Sequence, residues 1–475
     1  MNIDAGRPPH NADAVRDEPA ATSAVADAAV LDRSAYAAFL ATTHPTFDTP
    51  DRIVRTGDLA QLKRVVADAA RRGETIAAVS CGQNIGLGGR LGPFAGSVLI
   101  EMSAHRCIVG FDERFGVVDV EPGVTFAQLH GFLRERRSAW FLPAIGGPPE
   151  ASVVGNFLQS GDGTGPGGVR EPNLLGIEAI LPNGDIVSTG NELDRPGPNI
   201  TGLFARSDFG IVTRARIALT LLPRCLQGFV FRNRRPGPPL AALAALEAAY
   251  QHGILAPGST ALWNGIKHVL SGKSTVPDPD IWYISGATHA ASLARLGADW
   301  QDLLDCFKQS GEVPELISHQ IDRNPGGSGL LQGEPTTMNL GSVRSGISNP
   351  SNSDASAAGF AWICPVVPFD SARVSVALGI IRDALDRAAI PSNLALSCRD
   401  ARTIRGFVAL AWDRSVPGRD AQAVACHDEL LEALCSSGFP PYRLGHLSRA
   451  WRRASTDDTA AFIARLKAAC GKPND

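Results

Sequence analysis

"CGQNIGLGGRLGP" (Cys81–Pro93) follows a short apolar run, "TIAAVS" (Thr75–Ser80), that reads as a buried strand. A glycine-rich turn after such a strand often cradles phosphate, but two familiar cradles do not fit. A P-loop needs G-x-x-x-x-G-K-[ST]. Counted from Gly82, its second glycine would fall at Leu87, and no lysine follows. The dinucleotide fingerprint G-x-G-x-x-G needs a helix directly after it. Counted from Gly86, Gly88 fits, but position 91 is leucine, and "GSVLIEM" (Gly96–Met102) reads as another strand. The loop therefore joins two strands, and any phosphate it holds meets turn amides rather than a helix end. A tight surface turn that uses glycine for its positive φ is the other reading of the stretch alone.

Around this loop, "TGDLAQLKRVVADAARRG" (Thr56–Gly73) predicts a helix, with Leu59, Leu62, Val65, Val66 and Ala69 on one face and Gly73 as its stop. Val117–Val120 reads as a strand, Pro122-Gly123 as a turn, and Thr125 with Gln128 as a capping box. "LGIEAILPNGDIVST" (Leu175–Thr189) reads as a hairpin with Asn183-Gly184 in a type I′ turn. "GIVTRARIALTLLP" from Gly210 is strand material. Short strands, interspersed helices and glycine turns make an α+β pattern rather than regular βαβ alternation.

Beyond Pro223 the character changes. "RNRRPGPP" (Arg232–Pro239) reads as a linker, followed by helices at Leu240–Tyr250 and Ala290–Ser310. Pro325–Ser356 is Gly/Ser/Asn-rich and reads as a long loop. Then come a strand (Gly359–Pro368), a helix capped by Ser371 that runs to Ala389, strands at Asn393–Cys398 and Phe407–Trp412, and a helix at Arg419–Ser436. That β-α-β-β-α order is most of a ferredoxin-like unit.

The 475 residues suit two or three domains. A net charge of −3 argues against general nucleic-acid binding, and no apolar run approaches the length of a membrane helix. The Ala/Asp/Pro-rich start lacks the basic and apolar regions of a secretory signal and reads as a disordered leader over residues 1–33. Nine scattered cysteines contain no C-x-x-C pair, so no metal site is expected, and free thiols in the cytoplasm are the simplest account.

A second stretch, "PAIGGPPEASVVGNFLQSGDGTGPGG" (Pro143–Gly168), is equally rich in glycine and has no lysine or arginine. Two such stretches suggest an extended, phosphate-bearing cofactor lying along backbone amides, with only Arg90 and Arg170 nearby to add positive charge.

These segments together resemble the vanillyl-alcohol oxidase and para-cresol methylhydroxylase group of FAD-dependent oxidoreductases. "CGQNIGLGGRLGP" is similar to that family's G-R-N-S-G-Y-G-G loop, "VVDVEPGVTFAQLHGFL" to its strand and helix, and "SVVGNFLQSGDGTGP" to its G-N segment. "GLFARSDFGIVTRARIAL" resembles its closing strands, while "LLQGEPT" (Leu330–Thr336) and "GFPPYRLGH" (Gly438–His446) resemble cap signatures. The resemblance implies a PCMH-type FAD-binding domain, residues 34–226 with 448–475, and an α/β cap with a ferredoxin-like antiparallel sheet, residues 227–447. It implies FAD against Ser80, Gly82, Gln83, Asn84, Ile85, Gly86 and Leu87 of the first loop. It extends that contact to Gly146, Gly147, Ser152, Gly155, Asn156, Gly161, Gly163 and Thr164, and to Gly210, Ile211 and Val212.

The family oxidises 4-alkylphenols and related alcohols or amines by hydride transfer to the flavin. Tyr442 and Arg443 match the pair that holds the substrate phenolate, and His446, three residues on, is a candidate acid or base. The expected acceptor is oxygen or an electron-carrier protein, and a homodimer is common in the family. The departures matter too. Leu87 stands where the family has a phenol-binding tyrosine, and the catalytic aspartate expected before the G-N segment is missing. Gly406 stands where a residue would attach the flavin covalently, so the flavin is expected to be noncovalent. Asp162 either touches the cofactor rim or caps a turn. These losses keep a second reading open: a flavin-binding protein of the same fold acting as a non-redox cyclase, isomerase or binding protein. A third is a sugar-nucleotide site without flavin.

Overall fold

The structure is a computed structural model. It describes residues 28–470, apart from 93–95, 191–196, 271–276, 324, 326–328, 337–357, 450 and 452–457. Nearly all of the expected leader, and most of the long loop expected at 325–356, lie outside the described residues.

The first half of the chain builds two sheets. Three parallel strands, Arg52–Arg55, Val98–Glu101 and Ile76–Val79, lie side by side, with the short strand Ala29–Val30 added antiparallel at one edge. The helix Leu59–Arg71 buries Leu62, Val65, Val66 and Ala69 against this sheet, and Asp58 caps it by accepting from the Gln61 amide at 2.7 Å. A five-stranded antiparallel sheet follows, in the order Ile108–Asp112, Val117–Val120, Ile211–Ala218, Leu174–Ile180, Ile186–Ser188. The hairpin between the last two forms as expected, but its turn does not. Only Gly184 has positive φ (88°), and five residues, Leu181–Asp185, separate the paired ends, so this is a wider loop and not a two-residue type I′ turn. The capping box at Thr125 is half-built. Its hydroxyl accepts from the Gln128 amide, but the Gln128 side chain donates to the Arg106 carbonyl.

Residues from Cys225 onward form one eight-stranded antiparallel sheet. Its order is Glu315–Arg323, Cys225–Arg232, Trp282–Ala290, Thr260–Asn264, Asn393–Cys398, Thr403–Asp413, Ala358–Ile363, with Val366–Pro368 also on the Thr403–Asp413 strand. The ferredoxin-like order expected after residue 359 is present. A second such unit, not foreseen, precedes it: strand 225–232, helix Leu240–Gln251, strands 260–264 and 282–290, helix Leu293–Gln309, strand 315–323, in the spatial order 4-1-3-2. The two units join edge to edge through strands 260–264 and 393–398. Asp370, not Ser371, caps the helix Ser371–Arg387, accepting from the Arg373 amide at 2.8 Å.

Alternation along these strands gives the sheet two faces. Phe231, Leu262, Ile284, Leu394, Leu396 and Val408 join the four long helices in one apolar core. Their neighbours Val230, Ala261, Trp263, Ala395, Ser397 and Phe407 face the other way, into a cavity. The edge strand 358–363 does not end the sheet in solvent. Phe360 exchanges hydrogen bonds with Thr43, and the Trp362 amide donates to the Gly86 carbonyl at 3.0 Å. The first glycine loop is thereby sewn to the cap.

Candidate active site

The two glycine clusters meet on the open face of that sheet. They line one cavity of about 730 Å³, roofed by the cap strands. From the first loop Ser80, Gly82, Gln83, Asn84 and Ile85 line it, and from the second Gly146, Gly147, Ser152, Gly155, Asn156, Gly161, Gly163 and Thr164. A second cavity of about 530 Å³ shares the Ala78–Ser80 strand end, Arg90, Gly92, Leu158 and Gln159 with the first. Gly210, Ile211 and Val212 line this second space. Gly86, Leu87 and His446 line neither. Leu87 is buried, its carbonyl accepts the His446 amide at 2.9 Å, and Gly445 packs against it.

The glycines are needed where the wall is thinnest. Gly82 has φ +69°, and a Cβ there would lie 2.5 Å from the Arg90 side chain. Arg170, expected as a nearby cation, is fully buried beneath the loops instead. It donates to Asn156 Oδ1 at 2.9 Å and to the Pro143 carbonyl at 2.6 Å, bracing the second cluster from behind.

Tyr442 and Arg443 reach the cavity together. Gly438 (φ 82°) ends the helix Arg419–Ser436, and the segment Pro440–Tyr442 pairs with the break between strands 358–363 and 366–368. The Val366 amide donates to the Pro440 carbonyl at 2.9 Å and the Tyr442 amide to the Cys364 carbonyl at 3.1 Å. Arg206, from the first half of the chain, donates to the Tyr442 carbonyl at 2.8 Å. The Tyr442 ring lies beneath the Arg405 guanidinium, 4.0 Å away. Both Tyr442 Oη and Arg443 Nε are buried and have no hydrogen-bond partner. Burial raises the Tyr442 phenol well above its ordinary value, so it stays a neutral donor.

Asp162 is the one carboxylate among the described residues lining the cavity. Its Oδ1 accepts from Arg405 Nη1 at 2.7 Å, and its buried Oδ2 has no partner. Burial raises its pKa, against the opposing pull of Arg405. Arg405 also donates to the Ser160 carbonyl at 2.8 Å and to Glu171 at 3.0 Å, and Arg399 closes on Glu171 in turn. Trp263, Trp362 and Phe407 supply aromatic wall, and Lys267 lines the cap side, 5.2 Å from the Trp362 ring.

His446 turns away from the cavity. Its ring is 1% exposed, stacks between His44 and Phe47, and accepts from the Phe47 amide at 2.8 Å. Burial, then the charges of Arg449 and His44, push its pKa down to about 3; burial pushes His44 down to about 4. Both rings are held neutral in the fold. Their contribution to stability is therefore present above the ordinary histidine pKa of about 6.5 and is lost as pH falls toward 4. At pH 5 the loss is about 2 kcal/mol for each ring. His446→Gln keeps an acceptor for the Phe47 amide and removes one titration, so roughly half of the acid loss should vanish. Thermal midpoints between neutral pH and pH 5 check this, and an unchanged slope would refute it.

The residues fit an FAD. Two adjoining cavities suit an elongated ligand, neutral glycine loops suit a diphosphate, and orphaned donors await an oxygen-bearing ring or substrate. Comparison with known proteins agrees. Residues 50–190 match the FAD binding domain family. The chain is 28% identical to the 1'-carboxy-chondrochloren decarboxylase of Chondromyces crocatus, over 92% of this chain and 91% of that one. It is 22% identical to the 4-cresol dehydrogenase [hydroxylating] flavoprotein subunit of Pseudomonas putida, over 83% and 80%. The crystal structure of p-cresol methylhydroxylase with substrate bound superposes with a TM-score of 0.78 at 19% identity, over 94% of this chain and 95% of that one. The protein is thus an FAD-binding α+β flavoprotein. It has the PCMH-type FAD-binding fold, and its sequence is similar to that of FAD-linked oxidoreductases such as the 4-cresol dehydrogenase flavoprotein subunit. Among the described residues no helix is long and apolar enough to cross a membrane.

Proposed function

We propose that the protein oxidises a 4-hydroxyaryl substrate at the side-chain carbon attached para to its hydroxyl, and that this substrate carries a carboxylate on its side chain. The observation that carries the reading is the pair of buried, partnerless donors, Tyr442 Oη and Arg443 Nε, in the wall of the flavin cavity. A phenol O–H and a guanidinium both favour an oxyanion, and a phenolate pushes electrons through the ring to the para side-chain carbon as hydride leaves. FAD, when bound, supplies the two-electron acceptor. Trp263, Trp362 and Phe407 orient the ring and shield the oxidised carbon from water on the wall they form. That electron-poor carbon accepts the electron pair of a neighbouring C–CO2 bond, so a carboxylate one carbon away can leave as CO2. The decarboxylase relative supports this second step, and Lys267 is the cap-side cation suited to hold the carboxylate.

The test is anaerobic mixing of the FAD-loaded protein with 4-alkylphenols, with and without a side-chain carboxylate. Bleaching of the oxidised-flavin absorbance is expected. A flavin that stays oxidised with every member of the series would overturn the reading in favour of a non-redox role. Acid should release the flavin, because Gly406 offers no side chain for attachment. Lys267→Met should raise KM for the carboxylated substrates by about tenfold, the effect of one exposed-to-buried charge contact, and leave the uncharged phenols unchanged. Equal effects on both sets would remove Lys267 from carboxylate binding.

A further inference from the structure

Oxidation through a phenolate needs a destination for the phenolic proton, and neither Tyr442 nor Arg443 can take it. A neutral phenol with a raised pKa and a guanidinium are both donors. The other candidates on the cavity wall are equally poor. Lys267 is a cation, and burial raises the Cys81 thiol to about 12. Among the described residues no histidine lines the cavity. Asp162 remains. It sits on the second glycine loop, held by Arg405 through Oδ1 alone, while Oδ2 is buried and without a partner.

We propose that Asp162 is the proton acceptor of the site and takes the substrate's phenolic proton on Oδ2; the inference rests on the 4-hydroxyaryl reading above. The O–H bond breaks, its electron pair stays on the substrate oxygen beside Tyr442 and Arg443, and the proton goes to Asp162. A bound FAD would take the hydride that leaves the benzylic carbon. The substrate gives up one proton and one hydride in total and leaves as the neutral quinone methide, so atoms and charge balance.

The surroundings support one shared proton rather than two anions. Arg405 ties Asp162 to the phenol-binding pair: it donates to Asp162 Oδ1 at 2.7 Å and to Glu171 at 3.0 Å, and its guanidinium lies 4.0 Å from the Tyr442 ring. Arg405 divides its charge between Asp162 and Glu171, so Asp162 receives only part of it. A carboxylate in that position accepts a proton readily, and two adjacent buried anions repel.

The test reads the bound phenol directly. 4-Hydroxyacetophenone, whose phenol and phenolate absorb at different wavelengths, is bound to the FAD-loaded protein at pH values below the probe's own pKa. Wild type should bind it as phenolate, release no proton to the medium, and show an affinity that does not vary with pH. Asp162→Asn should either bind the neutral phenol or bind the phenolate with release of one proton, its affinity rising tenfold per pH unit. Asp162→Glu should restore the wild-type pattern. Release of one proton per probe by wild type overturns the inference, even if no variant folds. So does a D162N protein that keeps both the phenolate band and the flat affinity. If wild type binds no phenolate at all, the 4-hydroxyaryl reading falls with it.

Discussion

Arg443→Ala should lower kcat/KM for phenolic substrates by about 10²–10³ while leaving the fold and FAD content intact. Arg443 Nε has no protein partner, so its removal takes away no structural hydrogen bond at that atom, and the rest of its guanidinium meets the Cys364 thiol and the Tyr442 ring. What is lost is the charge that makes an oxyanion acceptable beside Tyr442. The bound phenol then returns toward its ordinary pKa of about 10, beyond the reach of Asp162 as an acceptor. The proton must leave to the medium, so residual activity should rise about tenfold per pH unit across the neutral range. Wild type should show no such rise there. Arg443→Lys should recover part of the rate, because a point charge replaces a planar fork. Stopped-flow rates of flavin reduction across pH provide the check. A variant that reduces its flavin as fast as wild type would remove Arg443 from the chemistry.

The elements read correctly from the chain are those whose signals are local. The helix at 59–71 shows its apolar stripe, and Asn183-Gly184 marks its hairpin, although the turn geometry depends on how the two strands register. The first half of the eight-stranded sheet hid its strands for a physical reason. Trp282–Ala290 is paired on both sides within the sheet, and Glu315–Arg323 lies on its edge and exposes Leu316, Ile317 and Ile321. Trp282–Ala290 is covered on both faces, by the core on one and the cavity wall on the other, so its sequence lacks a clean apolar/polar alternation, and the edge strand's exposed apolar residues blur it as well.

The site divides the same way. Tyr442 and Arg443 belong to one short motif and fall together in the cavity. His446 is three residues further on, but Gly445 packs against Leu87 and the chain turns, sending the ring away from the cavity and against His44. Asp162 and Arg405 are separated by 243 residues, and only the pairing of strand 403–413 with its neighbours brings the guanidinium to the second glycine loop. No spacing rule reaches across such a distance.

That pair is where the two halves of the molecule depend on each other most. Arg405→Met should destabilise the protein by about 3 kcal/mol, the lower part of the range for breaking one side of a buried ion pair. The lower figure applies because Glu171, 32% exposed, retains Arg399 and water. The cost falls on Asp162 and on the Ser160 carbonyl, which lose their donor inside the fold. Strand 403–413 carries Arg405 on the cap, and residues 160–171 carry its partners on the glycine-loop side, so the same substitution loosens the roof over the flavin. A fall in urea midpoint should therefore accompany weaker FAD retention. Adding Asp162→Asn to Arg405→Met should return part of the lost stability, since the second change removes the stranded charge. A double variant whose losses simply add would show that the two side chains do not interact, and the bond between cap and glycine loop would have to be sought elsewhere.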